Sequence, residues 1–266
     1  MNGQYHHIFR DPPGADTVVL LLHGILSAPQ YFRFLLDDIP QQYAVSGILL
    51  DGHGAPAKAI SGTNMQIWKA QVHGQFRRLS AQYRHIIVAA HSMGTLFALQ
   101  LAAEHPKQIR AMLLLGVPLA VHLTPFGALC SAAVGSGYHP APNRFPRAYA
   151  MQQACSILPD YRLWRYLPWI PRYLELFAEI SRTKNILHRV AVPCAVFQSA
   201  HDELVSVRAL PQLAAHPSFQ LRVLRESSHF YYTTADEARI RGAWRKMLRC
   251  NQHLRGKTSG INEKGE

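Results

Sequence analysis

Acidic residues are scarce in this 266-residue chain: 16 Asp and Glu stand against 28 Lys and Arg, a formal charge of +12. Such an excess could draw an anionic membrane, nucleic acid or an anionic substrate, but it decides neither fold nor chemistry. Cysteine is also sparse. Cys130, Cys155, Cys194 and Cys250 are widely spaced and form no CxxC, which excludes a zinc knuckle or a disulfide scaffold and fits a reducing compartment. No apolar run exceeds the five residues of 18–22, far short of the roughly 20 that a bilayer span needs. Residues 118–137 are fairly apolar, but His122, Thr124, Pro125 and several small residues make them a poor span. The start, MNGQYHHIFRDPP, lacks the basic end, apolar stretch and cleavage site of a signal peptide. A cytoplasmic protein is expected. His6, His7, His53 and His73 lack metal-ligand spacing such as HExxH, and no P-loop or GxGxxG is present. Neither a metal nor any other cofactor is expected.

Apolar residues make up 48% of the chain and charged residues 17%, enough for a sizeable core and against wholesale disorder. Short aliphatic runs alternate with helical periods, which implies a parallel, doubly wound sheet. Strands are expected at 18–22, 45–50, 86–90, 111–115, 195–198 and 219–224. Helices are expected at 29–39, from Asn64 to about Tyr83, and at 93–104, 207–215 and 234–249. The rhythm breaks after Pro118 for about seventy residues rich in proline, with a dense aromatic and Arg segment at 161–177. The chain therefore divides into an α/β core of 1–117 and 193–250, an insertion of 118–192, and a polar, frayed tail of 251–266. Arg239, Arg241, Arg245, Lys246 and Arg249 crowd the last helix; a solvated face accounts for them, and no nucleic-acid partner is expected.

Ala90-His91-Ser92-Met93-Gly94 lies between a strand and a helix. In such an elbow a nucleophilic serine is pushed into solvent, and small residues two before and two after it let strand and helix approach. Ser92 is the only serine with Gly or Ala at the first of these positions and Gly at the second. A serine hydroxyl needs a base held in turn by a carboxylate, and in a fold built on such an elbow the order is Ser, then acid, then His, each at the carboxyl end of a strand. Three histidines follow residue 202. His216 ends a helix, His253 lies in the tail, and His229 follows the strand ending near Leu224, so His229 is the base. Asp202 directly follows the strand at 195–198 and is the acid; Glu203, one place on, should point away. Two backbone N–H groups must face the oxyanion. Met93 supplies one, and Ile25 the other, from the loop that Gly24 lets turn sharply. His23 braces that loop and is not a second base.

The motifs LLHG (21–24), DGHG (51–54), AHSMG (90–94), HDELV (201–205) and SSHF (227–230) together resemble the α/β-hydrolase superfamily. Within it the chain is most similar to bacterial carboxylesterases and monoacylglycerol lipases. That resemblance implies a mostly parallel sheet flanked by helices, with Ser92, Asp202 and His229 as the triad, Ile25 and Met93 as oxyanion donors, and His23, Gly24, Ala90, His91 and Gly94 in support. Two departures stand out. Ala90 replaces the usual Gly, and the sixteen residues before Thr17 leave room for one rather than two leading strands.

The insertion lies outside that resemblance; it leaves the sheet between the strand ending at Leu115 and the strand before Asp202, so a helical cap over the strand ends is expected. Its interleaved aromatics and arginines (161–174) either pack the cap onto the core or form an apolar acyl pocket rimmed by Arg beside lipid headgroups. Proline breaks there argue against a long amphipathic face. The substrate is expected to be a small acyl ester, with peripheral lipid contact through the cap. The alternatives are a thioester on an anionic carrier, or a binding protein on a hydrolase scaffold.

Overall fold

The computed structural model describes residues 5–160 and 162–259; Tyr161 and the tail beyond 259 lie outside the described residues. Its strands are β1 (Ile8–Arg10), β2 (Thr17–Leu22), β3 (Ala44–Gly47), β4 (His85–His91), β5 (Ile109–Leu115), β6 (Cys194–Ser199) and β7 (Phe219–Leu224). They form one seven-stranded sheet in the order β1-β3-β2-β4-β5-β6-β7. Only β1 runs antiparallel, against β3; the remaining pairs are parallel. This is the doubly wound α/β-hydrolase sheet. A single strand of three residues, β1, precedes β2 among the described residues.

The helices are α1 (Arg33–Leu36), α2 (Lys58–Ser61), α3 (Met65–Gln82), α4 (Met93–Glu104), α5 (Pro125–Gly135), α6 (Pro146–Ala154), α7 (Ile170–Ile186), α8 (Leu210–Ala214) and α9 (Thr234–Ser259). Alternation along β2 divides the core between the two faces of the sheet. Val18, Leu20 and Leu22 pack with Trp68, Phe76 and Leu96 of α3 and α4, while Val19 and Leu21 pack with Phe32, Tyr43 and Trp244. A strand buried on both faces must be apolar throughout, which is why TVVLLL shows no polar alternation. Among the described residues no helix is long and apolar enough to cross a membrane.

Registers bring the strand ends level: Leu22 pairs with Ala90, His91 with Leu115, Leu115 with Phe197 and Ser199 with Leu224. The chain winds outward from β2 to β3 and then crosses back to β4. A crevice therefore opens between β2 and β4, at the carboxyl ends where ligands bind in such sheets.

Several boundaries differ from expectation. Residues 29–39 give a 3₁₀ turn at Pro29–Phe32 and the single turn α1, not one helix. Strand β3 ends at Gly47 because the next amides leave the ladder: Leu49 N–H goes to His7 Nδ1 and Leu50 N–H to His23 Nε2. The last helix continues beyond Arg249 to Ser259, so most of the residues expected to fray are helical, and 260–266 lie outside the described residues. The insertion also corrects one inference. Pro171 occupies the first turn of α7, where its missing N–H costs nothing, and the helix runs unbroken for seventeen residues in all. Ile170, Tyr173, Leu174 and Phe177 form an exposed apolar stripe on that helix, so an amphipathic face does exist.

Candidate active site

Ser92 sits between β4 and α4 with φ 51° and ψ −125°, a strained backbone for a residue with a Cβ. The turn is possible only because its surroundings are small. A Cβ on Gly94 would lie 2.1 Å from the Leu22 carbonyl oxygen, and one on Gly24 would lie 2.9 Å from Ser92 Cβ. Ala90 is fully buried in the sheet between Leu22 and Leu114. The loop after β2 thus passes directly against the Ser92 turn, itself tied down by Ser92 N–H donating to the Leu115 carbonyl at 2.9 Å.

His229, in the loop after β7, places Nε2 3.1 Å from Ser92 Oγ and Nδ1 2.8 Å from Asp202 Oδ2. The other carboxylate oxygen, Oδ1, accepts the Leu204 and Val205 N–H groups at 2.9 and 2.7 Å. Nδ1 therefore carries the proton, and the Nε2 lone pair faces the serine hydroxyl. Both His229 and Asp202 are buried. Gly116 lies against the imidazole in the left-handed conformation, φ 62°, that favours glycine; a Cβ there would be in ordinary contact, 3.4 Å from His229 Cε1. Glu203 does not point away. Its Oε2 accepts the His229 backbone N–H at 3.1 Å, while Oε1 has no partner.

His91 and His23 stand behind this row. His91 Nε2–H donates to the His229 carbonyl at 3.1 Å, and its ring lies against Tyr31 with centroids 4.1 Å apart. His23 Nδ1–H donates to the Gly24 carbonyl at 2.8 Å, and its Nε2 accepts the Leu50 N–H at 3.1 Å. Burial, and after it a neighbouring histidine, holds both rings well below the usual imidazole range, so they are neutral. Among the described residues neither the Ile25 nor the Met93 N–H has an acceptor within the protein.

Ser92 opens into a cavity of about 810 Å³. Its walls include Ile25, Val205 and Phe230 from the core and its loops, and Val121, Met151, Trp169 and Phe177 from the inserted segment; among the described residues no Lys, Arg, Asp or Glu lines it. A second cavity of about 460 Å³, lined by Tyr5, Tyr31, Arg33 and Tyr149, shares Ala154 and Phe230 with the first. Sequence reasoning missed the bond of Glu203, the place of Gly116, and Ser156, whose Oγ donates to the Ser27 carbonyl at 2.7 Å and whose N–H donates to the Leu26 carbonyl at 2.8 Å. It also gave no role to His53. A signal existed for His53 alone, in the DGHG motif.

The family model described as Serine aminopeptidase, S33, matches residues 13–233. The chain is 26% identical over 189 residues to the thermostable monoacylglycerol lipase of Bacillus sp. (strain H-257), covering 70% of this chain and 71% of that protein. It also superposes on a structure reported for LipS and LipT, two metagenome-derived lipolytic enzymes, with a TM-score of 0.70 at 19% identity, over 93% of this chain and 98% of that one. The monoacylglycerol lipase of Paleococcus ferrophilus gives a TM-score of 0.63 at 14% identity, over 92% and 99% of the two chains. At these identities the structural likeness is one of fold.

Proposed function

The chain belongs to the serine aminopeptidase family of α/β-hydrolases, and from that premise we propose that it cleaves carboxylic esters, in the manner of a carboxylesterase or monoacylglycerol lipase. The observation that carries this reading is the cavity over Ser92. An exopeptidase needs a carboxylate to hold the free α-amino group of a peptide, and among the described residues none lines this space. A neutral apolar acyl chain suits it. Similarity to the Bacillus monoacylglycerol lipase supports the same choice.

In this mechanism Ser92, His229 and Asp202 are the triad. Ser92 Oγ attacks the acyl carbonyl as its proton passes to His229 Nε2, and Asp202 stabilises the imidazolium through Nδ1–H. The tetrahedral oxyanion rests on the N–H groups of Ile25 and Met93. The C–O bond to the alcohol then breaks, and His229 delivers its proton to the departing oxygen. Water, deprotonated by His229, attacks the acyl-enzyme, and collapse of the second intermediate releases the acid and returns the proton to Ser92. His23, Gly24, Ala90, His91 and Gly94 shape this machinery without taking part in bond making.

Residues 118–192 act as the cap. Leu123, Tyr173 and Phe177 line the cavity and are exposed as well, so its mouth opens on an apolar surface that Trp164, Leu167, Ile170 and Leu174 extend. A dispersed lipid would meet that surface first. The four cysteines are free thiols.

Hydrolysis of p-nitrophenyl esters from acetate to palmitate, beside a vesicle-dispersed long-chain monoester and an acyl-CoA, tests the proposal. Cleavage should favour the longer acyl chains and fall about a thousandfold or more in Ser92→Ala, since triad members act as a unit. Wild-type turnover by Ser92→Ala would sink the serine mechanism. Cleavage of the acyl-CoA alone would replace the ester with the thioester reading, and a folded protein inert on every substrate would point to a binding scaffold.

A further inference from the structure

The DGHG motif has no part in the mechanism above, yet its histidine reaches the oxyanion loop. His53 is buried between His23 and Trp68, with ring centroids 4.8 and 5.2 Å away. Its Nδ1 lies 3.2 Å from both the Leu50 and Asp51 carbonyls. Carbonyls only accept, so Nδ1 holds the proton and Nε2 presents a lone pair. That lone pair accepts the Leu26 N–H at 3.0 Å.

Leu26 immediately follows Ile25, and it has φ 62°. Among the described residues only Ser92 shares a positive φ without being glycine. A leucine does not keep the left-handed conformation unless its surroundings enforce it. Here the surroundings act on both sides of Ile25. His23 fixes the Gly24 carbonyl to the loop after β3, and His53 fixes the Leu26 N–H to the same loop. The Leu26 carbonyl is taken by the Ser156 N–H. The Ile25 N–H is left free of any protein acceptor among the described residues.

We propose that His53 is a positioning residue for the oxyanion hole: by accepting the Leu26 N–H it holds that residue in the left-handed conformation and aims the Ile25 N–H at the oxyanion formed on Ser92. This rests on the reading of Ile25 as an oxyanion donor. A neutral imidazole suits the task because it donates to one loop while accepting from another. Burial keeps it neutral, lowering His53 to about 4.

The test compares His53→Leu, which loses both bonds, with His53→Gln, whose amide can donate to the Leu50 or Asp51 carbonyl and accept from Leu26. Three quantities are read on folded protein. They are kcat and KM for the best p-nitrophenyl ester, inhibition by a trifluoromethyl ketone bearing the same acyl chain, and inhibition by the matching long-chain alcohol. The ketone adds to Ser92 and generates an oxyanion; the alcohol fills the cavity without one. Misaiming one donor should cost His53→Leu at least about tenfold in kcat. KM should stay near wild type, ketone affinity should fall by a similar factor, and alcohol affinity should hold. His53→Gln should recover most of the loss.

Wild-type kcat and ketone affinity in His53→Leu overturn the proposal. So does an equal loss of ketone and alcohol affinity, which means the cavity has collapsed. If His53→Leu fails to fold, His53→Asn serves, since its amide keeps the Leu50 and Asp51 side but cannot reach Leu26; the same paired loss is expected, and wild-type values overturn the proposal equally. Failure of the ester-hydrolase reading is distinct: wild type itself would then neither turn over the ester nor bind the ketone.

Discussion

Two carboxylates serve one histidine at this site, and they hold it in different ways. Asp202 bonds the ring of His229, while Glu203 bonds its backbone N–H. Glu203 is buried, with one oxygen unpartnered, and α5 presses against it so closely that a Cβ on Gly127 would stand 2.8 Å from Glu203 Cβ. A hydrogen bond to a charged group contributes about 1.5–3 kcal/mol, and this one fixes the loop that aims the imidazole. Glu203→Leu should therefore lower kcat about tenfold or more with little change in KM. Glu203→Gln, which keeps an acceptor oxygen, should stay near wild type. Steady-state kinetics on one ester decides it, and an unchanged kcat in Glu203→Leu would leave the carboxylate a packing role only. Ser92, Asp202 and His229 could be singled out in the sequence because each follows a recognisable strand. The direction of Glu203 could not, because after a strand ends the alternation of side chains no longer governs where the next one points.

At the scale of elements, one buried carboxylate of helix α7 joins it to two helices of the core. Glu179 Oε1 accepts from Lys69 of α3 at 2.6 Å and from Gln100 of α4 at 2.7 Å, and Oε2 accepts from Arg182 at 2.6 Å. Glu179→Leu would strip Lys69 of its acceptor and leave the Gln100 amide only Thr183 Oγ1, and breaking such a buried pair costs about 3 kcal/mol. Urea denaturation should show a fall of that order, partly recovered by adding Lys69→Met, which removes the stranded charge. A variant as stable as wild type would mean that packing alone seats α7. Helices α3 and α4 were legible in the sequence because each has an unambiguous start, Asn64 Oδ1 capping the Ile67 N–H and Ser92 ending a strand. Helix α7 was not. Its prolines resemble breaks until the chain direction shows them opening the helix, and its apolar stripe lies partly exposed beside a cavity, so burial and hydrophobicity do not coincide. The stretch 29–39 misleads in the opposite way, with helical spacing but only one α-helical turn.

Across the whole molecule the excess of positive charge and the buried histidines act together on acid stability. His23, His53 and His91 are all held below the ordinary imidazole value, in each case chiefly by burial. Above pH ~6.5 these groups are neutral in both folded and unfolded chains, so they contribute nothing to pH dependence. As pH falls below that value the unfolded chain takes up protons that the folded chain refuses, and stability must drop. For His53, with a folded value of about 4, the loss is about 2 kcal/mol at pH 5 and levels off near 3 kcal/mol below pH 4. His23 and His91 add to it in the same direction. Protonation of exposed histidines raises the charge further from its formal +12, and self-repulsion in the compact state deepens the fall. Urea unfolding at pH 7.5 and pH 5 should differ by more than the share of His53, and His53→Gln should narrow the gap by about 2 kcal/mol. Equal stability at the two pH values would mean that these rings take up protons in the folded state. Because His23 and His53 hold the loop that carries Ile25, and His91 holds the His229 carbonyl, the same protonations would loosen the Ile25 loop and the seat of His229 together.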